Sequence, residues 1–177
     1  MLSIEGNAAQ TYFRYWHTLP IRWTGLGRKP VPPEWEQIGS RIGLGRGGKS
    51  NQLATHPVNA ILNYVYGVLE NQVRSHIVMA GVDPTIGCMH STGNDRFSLV
   101  FDLMEPLRPV MDQKVLEFVL SRTFSPDDFI LNKNGICRLH PQFARYVVKI
   151  VQDMPEIEII MAANLKKLFG KNISKKP

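Results

Sequence analysis

The residues best suited to chemistry lie in one stretch, His90 to Pro109, which contains a histidine and, in and just after its apolar run, two acids. A polar turn with a glycine follows the histidine, and Asp102 and Glu105 stand three residues apart in the apolar run behind it. Residues three apart lie on one face of a helix, so both carboxylates are predicted to point the same way. Imidazole and carboxylate oxygens together suit Mn²⁺ or Mg²⁺ better than a structural zinc site. Acids near a helix start are also favoured by the helix dipole, so a purely structural role for the pair stays open.

Asp102 is the more informative of the two acids, because its neighbours are Phe101, Leu103 and Met104. A carboxylate in so apolar a segment is costly to bury unless something pairs with it. A metal ion is one partner that would stabilise the buried charge.

A second pattern of chemical interest is GLGRGGKS, from Gly43 to Ser50, which matches the phosphate-binding pattern GxxxxGK[ST]. Such a loop binds nucleotides only between a buried strand and the N-terminus of a helix. Here the upstream residues are polar, so no buried strand is predicted before the loop. The downstream segment is short and soon reaches Pro57, so no helix is predicted directly after the loop. The segment, with Arg46 and Lys49, is therefore interpreted as a basic loop that contacts DNA rather than as an ATPase site.

Composition restricts the class of protein. The 177 residues suffice for one domain, and 44% of them are hydrophobic, as is usual for globular proteins. The net charge of +6 permits a nucleic-acid partner without requiring one. Cys88 and Cys137 are far apart, which argues against a thiolate zinc site and a disulfide scaffold and suits a reducing cytoplasm. Neither a secretory signal nor a membrane-spanning run is expected.

The segments that must position these residues are predicted to be mainly helical. The predicted fold is therefore mainly α, with a single helical domain over residues 1–169 and a basic tail over residues 170–177. Apolar residues at helical spacing, proline starts and glycine ends predict helices at Leu2–Trp16, Pro57–Gly81, Ser98–Glu105, Pro109–Arg122, Pro141–Met154 and Pro155–Phe169. A turn sequence, Asn132–Gly135, predicts one short β-hairpin between Phe129–Leu131 and Ile136–Leu139.

Residues 19–56 differ from the rest because they are rich in glycine, proline and cations. They are expected to form a long, flexible, basic loop with one short helix, Pro33–Ile42. Loops of this length in compact domains are usually functional or disordered.

Two polar side chains on the Pro57–Gly81 helix, Tyr66 and Arg74, interrupt or flank its apolar face. A buried tyrosine is most often a satisfied hydrogen-bonding group of the core. A second interpretation makes Tyr66 and Arg74 contacts to a DNA backbone.

Four motifs in order, IEGNAA, PVNAILNYVYGVLE, GVDPTIGCMH and SLVFDLMEPLRP, closely resemble one family. They are similar to the CRISPR-associated integrases, metal-dependent DNA endonucleases that capture new spacers and insert them into the repeat array. The resemblance runs from about Leu2 to Leu139. It implies a helical catalytic domain in which the N-terminal β domain of the family is absent.

The resemblance also implies the residues of the site. The metal ligands of the family fall on Glu5, His90 and Glu105, and an active-site carboxylate beside the metal falls on Asp102. The implied cofactor is Mn²⁺ or Mg²⁺. Tyr66 falls near the position of the bound DNA end.

The partners implied are double-stranded DNA with single-stranded 3′ ends and CRISPR repeat DNA. Arg74, Arg96, Arg46 and Lys49 are expected to neutralise phosphates. The full-length family member is expected to form a homodimer and to bind a second small CRISPR adaptation protein, in the prokaryotic cytoplasm and without a membrane. The alternative function is a non-catalytic DNA-binding or scaffolding fragment of such an integrase.

Overall fold

A computed structural model of the chain describes residues 11–24, 30–38, 53–85 and 97–170, and these residues are mainly helical. The α-helices are α1 (residues 11–16), α2 (Pro57–Met79), α3 (Ser98–Met104), α4 (Arg108–Ser121), α5 (Pro141–Val147), α6 (Lys149–Gln152) and α7 (Pro155–Phe169). Single turns of 3₁₀-helix cover Pro33–Trp35, Glu105–Leu107 and Pro126–Asp128. The strands are β1 (Arg22–Trp23), β2 (Thr123–Phe124), β3 (Phe129–Leu131) and β4 (Cys137–Leu139).

The chain divides into two compact units. The first unit takes residues 1–64 and 114–147, and the second takes residues 65–113 and 148–177. The boundaries fall inside α2, inside α4 and at the end of α5. All the described candidate residues for the site belong to the second unit.

Two small pairs of strands belong to the first unit. The strands β1 and β2 are parallel, with Arg22 opposite Thr123, and β3 and β4 form an antiparallel hairpin. The hairpin turn is closed by the Asn132 side chain, whose Oδ1 accepts hydrogen bonds from the amides of Asn134 (2.9 Å) and Ile136 (2.8 Å). Gly135 has a φ of 74°, a conformation that a residue without a Cβ adopts at little cost.

The core of the first unit is aromatic. The rings of Trp23 and Trp35 stack with centroids 5.9 Å apart, and Phe129 meets Phe143 edge to face at 5.3 Å. Contacts of this kind add about 0.5–1.5 kcal/mol each beyond the area they bury.

Burial also raises the pKa of the Cys137 thiol to about 12, so this cysteine stays protonated and is unsuited to bind a metal as thiolate.

A buried histidine caps the N-terminus of α2. The carbonyl of His56 accepts the first helical hydrogen bond, from the amide of Ala60 at 2.9 Å, and its Nδ1 accepts from the amide of Val58 at 3.2 Å. Because Nδ1 must be unprotonated to accept that bond, the cap requires neutral imidazole. Desolvation by burial lowers the pKa of His56 from 6.5 to about 4, against smaller raising effects from the backbone of Trp35 and Gln37.

The core of the second unit is aliphatic. It is built from buried residues on α2, α3, the 3₁₀ turn Glu105–Leu107, α4, α6 and α7, among them Val65, Leu69, Val73, Ile77, Leu99, Leu103, Leu107, Met111, Val151, Ile157, Met161 and Leu165. Complete burial of one such side chain contributes about 1.5–3 kcal/mol. This packing holds α3 and the turn that follows it, which carry the two predicted acids.

The structure confirms the mainly α fold, the long helix from Pro57 and the hairpin between Phe129 and Leu139. Three details differ. The helix expected from Pro33 is a single 3₁₀ turn that ends at Trp35, the helix from Pro141 is interrupted at Val148, and the strands β1 and β2 were not predicted.

The segment 19–56 is better packed than its composition suggested. Trp35, 3% exposed, and Ile38, also 3% exposed, are buried, and the Trp35 indole Nε1 donates a hydrogen bond to the carbonyl of Thr55 at 3.1 Å. Where it is described, the segment therefore contributes to the core of the first unit.

Within the described part of the chain, no helix combines the length and the apolar character needed to cross a membrane.

Candidate active site

The two predicted acids are positioned by α3 and the 3₁₀ turn behind it. Asp102 lies on α3 and is only 6% exposed, while Glu105 lies at the end of α3 and is exposed. The amide of Glu105 still bonds to the carbonyl of Phe101, so both acids sit on one continuous helical path. Pro106 has no amide hydrogen, so the α-helical pattern cannot continue through it, and the chain tightens into the Glu105–Leu107 turn.

The carboxylate of Glu105 has a cationic neighbour. The Nε of Arg108 donates a hydrogen bond to Glu105 Oε1 at 3.0 Å, with side-chain exposures of 38% for Arg108 and 44% for Glu105. A pair this exposed contributes at most about 1 kcal/mol to stability. The bond uses one carboxylate oxygen, so the other can take a second partner.

Tyr66 is tied to the helix that begins at Arg108. Its hydroxyl donates a hydrogen bond of 2.6 Å to Oδ1 of Asp112, a residue of α4 that is 7% exposed. The guanidinium carbon of Arg108 lies 5.3 Å from the centroid of the Tyr66 ring, within the range of a cation–π contact. Tyr66, Asp112, Arg108 and Glu105 therefore form a connected network, which we call the Tyr66 network.

Arg74 is engaged with a different pair of groups. Its Nη2 lies 2.6 Å from Glu70 Oε1, one helical turn earlier on α2, and its guanidinium carbon lies 4.0 Å from the centroid of the Phe97 ring. Phe97 is the residue that precedes α3. Arg74 thus links α2 to the start of α3, and a phosphate would have to compete with Glu70 for it.

The described residues on either side of the stretch 86–96 are held by local bonds. Asp83 Oδ1 accepts from the amide of Thr85 at 2.9 Å and from its hydroxyl at 2.8 Å, and these bonds lower the pKa of Asp83. The amide of Leu99 donates to the carbonyl of Pro84 at 3.2 Å. The chain that enters this stretch is therefore bonded to the chain that leaves it.

Five predicted site residues lie outside the described part of the chain, namely Glu5, His90, Arg96, Arg46 and Lys49. The convergence of Glu5 and His90 with Glu105 stays a prediction, and so do the phosphate contacts of Arg96, Arg46 and Lys49. Among the residues that the structure does describe, no three or more histidine, cysteine or acidic side chains form a group that could hold a metal ion.

The Tyr66 network adds two residues that the sequence did not single out, Arg108 and Asp112. For Arg108 the sequence carried a weak signal, because Glu105 and Arg108 stand three apart with opposite charges, as ion pairs on one helical face do. No local pattern could join Tyr66 to Asp112, because 46 residues separate them and only the packing of α2 against α4 brings them together.

The donor chemistry of the described acids fits a hard divalent cation. Carboxylate oxygens are the ligands that Mg²⁺ and Mn²⁺ prefer. Glu105 is exposed, and one of its oxygens is not used in the bond to Arg108. Asp102 is buried one helical turn before it, and it takes part in interactions within the protein, so it is not an isolated buried charge.

Comparison with known proteins agrees with the resemblance. The family model described as CRISPR associated protein Cas1 matches residues 1–153. The chain is 40% identical over 138 residues to CRISPR-associated endonuclease Cas1 1 of Methanospirillum hungatei, which covers 77% of this chain and 35% of that protein. It is 32% identical over 149 residues to CRISPR-associated endonuclease Cas1 1 of Archaeoglobus fulgidus, which covers 84% of this chain and 39% of that protein.

A solved structure shares the fold. It is a casposase bound to integration product, with a TM-score of 0.73 and 24% sequence identity, and the match covers 99% of this chain and 54% of the casposase chain. The chain spans less than two fifths of the length of the two curated relatives above. Since the family model covers most of the chain, this protein belongs to the Cas1 family of CRISPR-associated proteins.

Proposed function

We propose that this chain is the catalytic part of a divalent-metal-dependent DNA endonuclease and integrase. Its substrates would be DNA phosphodiesters, which it cleaves and joins during CRISPR spacer acquisition. The observation that carries the proposal is the placement of Glu105. Its exposed carboxylate follows the buried Asp102 by one helical turn, in a chain of the Cas1 family.

The residues proposed to hold the ion are Glu5, His90 and Glu105. When bound, Mn²⁺ or Mg²⁺ supplies Lewis-acid stabilisation of the charge that develops on a DNA phosphate. Asp102 is assigned a positioning role, because a buried carboxylate beside the site can orient a reacting water or a DNA 3′-hydroxyl by hydrogen bonding.

The proposed DNA contacts come from α2 and α4. Arg74 and Arg108 are half-exposed cations, each placed against an aromatic ring, and each can neutralise a phosphate. Because its hydroxyl is fixed by Asp112, Tyr66 keeps its ring in one orientation. A ring held in this way can support a terminal base by stacking.

The casposase whose fold this chain shares is bound to an integration product, which supports DNA as the substrate class. A homodimer and a second small adaptation protein are proposed for the full-length relative. The proposal for the chain itself needs neither, because the ligands named above all belong to it.

A nuclease assay with Glu105→Gln tests the proposal. The 177-residue chain is incubated with branched double-stranded DNA that carries single-stranded 3′ ends, in Mn²⁺. Loss of the negative charge on one ligand should lower the cleavage rate by at least about a hundredfold. Glu158→Gln, an exposed acid on α7, is the matched control and should keep the parental rate.

His90→Ala is the second variant of the assay, and it should also abolish metal-dependent cleavage. Circular dichroism establishes that each variant folds. Full activity of a folded Glu105→Gln or His90→Ala protein would contradict the proposed site.

The rival function is a fragment that binds DNA without catalysis. Calorimetric titration with Mn²⁺ separates the two, because a catalytic unit should bind an ion with a stoichiometry that Glu5→Ala removes. DNA binding without such an ion would favour the rival.

A further inference from the structure

The bond between Arg108 and Glu105 places a positive charge where the proposed function needs a metal ion. Arg108 Nε lies 3.0 Å from Glu105 Oε1, on the next turn of the same helical path. The guanidinium is engaged through Nε, so its two Nη groups can serve another acceptor. Both side chains are partly exposed, at 38% and 44%, so water and DNA can reach them.

The position of the guanidinium does not depend on Glu105 alone. Arg108 also lies over the Tyr66 ring at 5.3 Å, and the Tyr66 hydroxyl is anchored on the buried Asp112 at 2.6 Å. An exposed ion pair and an exposed cation–π contact are both weak, and they are similar in strength. If the carboxylate turns to another partner, the ring still holds the guanidinium in place.

We infer that Arg108 is a placeholder cation: it pairs with the carboxylate of Glu105 until a divalent ion takes its place. Arg108 is then available to a DNA phosphate. The inference rests on the proposed function. It adds a positioning residue, Arg108, that exchanges the carboxylate of Glu105 for a DNA phosphate. Ion binding and DNA binding would then assist each other through this one side chain.

Arg108 and the divalent ion should compete for Glu105, because both carry positive charge. A guanidinium roughly 5 Å from a divalent ion repels it even in a water-like dielectric, and after partial screening by salt this repulsion should weaken binding about five- to tenfold. Fixing the rotamer of Glu105 would act in the opposite direction, but a half-exposed pair orders its partner only weakly. Removal of the charge on Arg108 should therefore tighten ion binding.

Calorimetric titration of the full 177-residue chain with Mn²⁺, in the absence of DNA, tests this competition. Arg108→Gln should lower the Mn²⁺ dissociation constant about five- to tenfold, because the repelling charge is gone. Arg108→Lys keeps the charge and should stay close to the parent. Arg108→Met, which keeps an apolar stem over the Tyr66 ring, should repeat the result of Arg108→Gln and guards against a folding defect in one variant.

Salt dependence of DNA binding tests the second half of the inference. With Ca²⁺ in place of Mn²⁺ to limit cleavage, the slope of log K against log salt should be about 0.9 steeper in the parent than in Arg108→Gln, which corresponds to one phosphate contact. Without a divalent ion the difference between the two slopes should be smaller, because the charge of Arg108 is then largely balanced by Glu105.

The outcomes separate the inference from the proposed function. If the parent binds no Mn²⁺, or binds Mn²⁺ that Glu105→Gln does not remove, both the proposed function and the inference are wrong. If Glu105 does bind the ion and Arg108→Gln leaves its affinity unchanged or weakens it, only the inference fails. Equal salt slopes for the parent and Arg108→Gln in Ca²⁺ would also overturn it.

Discussion

At the scale of single residues, a short hydrogen bond beside the site joins Tyr66 to Asp112. A 2.6 Å bond from a hydroxyl to a carboxylate is charge-assisted and stronger than a bond between neutral groups. Asp112 is nearly buried, so water does not readily replace the hydrogen bond from Tyr66. We therefore assign Asp112 to the support of Tyr66.

The first prediction at this scale concerns Tyr66→Phe. The change removes only the hydroxyl, and we expect it to lower the free energy of unfolding by about 1–3 kcal/mol, because the nearly buried carboxylate of Asp112 loses a charge-assisted hydrogen bond. Urea unfolding followed by circular dichroism measures the difference.

Tyr64→Phe is the matched control, since it makes the same chemical change two residues earlier on α2. No hydrogen bond of the Tyr64 hydroxyl is described, so this control should stay within about 0.5 kcal/mol of the parent. Equal stabilities of the two variants would mean that the Tyr66–Asp112 bond contributes little.

The site residues were only partly accessible to prediction from sequence. Asp102 and Glu105 could be paired because their separation matches the helical period, which is a local property. The bond of Tyr66 to Asp112 depends on how α2 and α4 pack, and no local pattern encodes that packing. The contact of Arg74 with Phe97 was missed for the same reason.

At the scale of elements, α2 shows how far local rules reach. Its start at Pro57 and its end near Gly81 were predicted, because proline is suited to the first turn and glycine to the left-handed residue that follows a helix. Gly81 has a φ of 69°, and the amide of Val82 bonds back to the carbonyl of Ile77 at 3.1 Å. The pattern of bonds is that of a Schellman cap.

The strands β1 and β2 lie beyond the reach of local rules. Each has two residues, too few for an alternating pattern, and about a hundred positions of sequence separate the paired residues Trp23 and Phe124. The aromatic core that surrounds them selects the pairing, since the two rings lie 5.8 Å apart.

The prediction at this scale contrasts a glycine inside α2, Gly67, with the glycine that follows its end, Gly81. Gly81→Ala should destabilise the protein by about 1 kcal/mol, because a Cβ is disfavoured at a positive φ. Gly67→Ala, inside the same helix and with no atom within 4 Å of the added Cβ, should stabilise it by about 0.5–1 kcal/mol. Thermal unfolding of the two variants should therefore shift the melting temperature in opposite directions, and shifts of the same sign would contradict the conformational explanation.

At the scale of the whole molecule, net charge and one buried imidazole determine how the chain responds to acid. The formal charge is +6 with neutral histidines, so acidification adds positive charge to a protein that is already basic. His56 resists that change in the folded state, since burial lowers its pKa from 6.5 to about 4.

The sign of the effect follows from proton linkage. Above pH 6.5 the imidazole is neutral in both states, and its contribution to stability is fully present. Between pH 6.5 and pH 4 the unfolded chain binds a proton that the folded chain does not, so stability falls, by up to about 3 kcal/mol. Below pH 4 both states are protonated at this group and the loss stops growing.

We therefore predict that His56→Asn flattens the dependence of unfolding free energy on pH between 7 and 4. Asparagine can still cap α2 through its side-chain oxygen, so the variant should fold. Urea unfolding at several pH values measures the slope, and His140→Asn, which replaces a histidine whose Nδ1 accepts a bond from the amide of Gln142 in α5, serves as the comparison. An unchanged slope in His56→Asn would assign the acid sensitivity to other groups.

The 3₁₀ turn Glu105–Leu107 has a consequence for everything that follows it. Three residues wound at three per turn instead of 3.6 advance the screw of the backbone by roughly 60° more than an uninterrupted α-helix would. Pro106 thus acts as an angular offset between the acid-bearing helix and α4. The orientation of Arg108 and Asp112 around the axis of α4 therefore depends in part on this one imino acid.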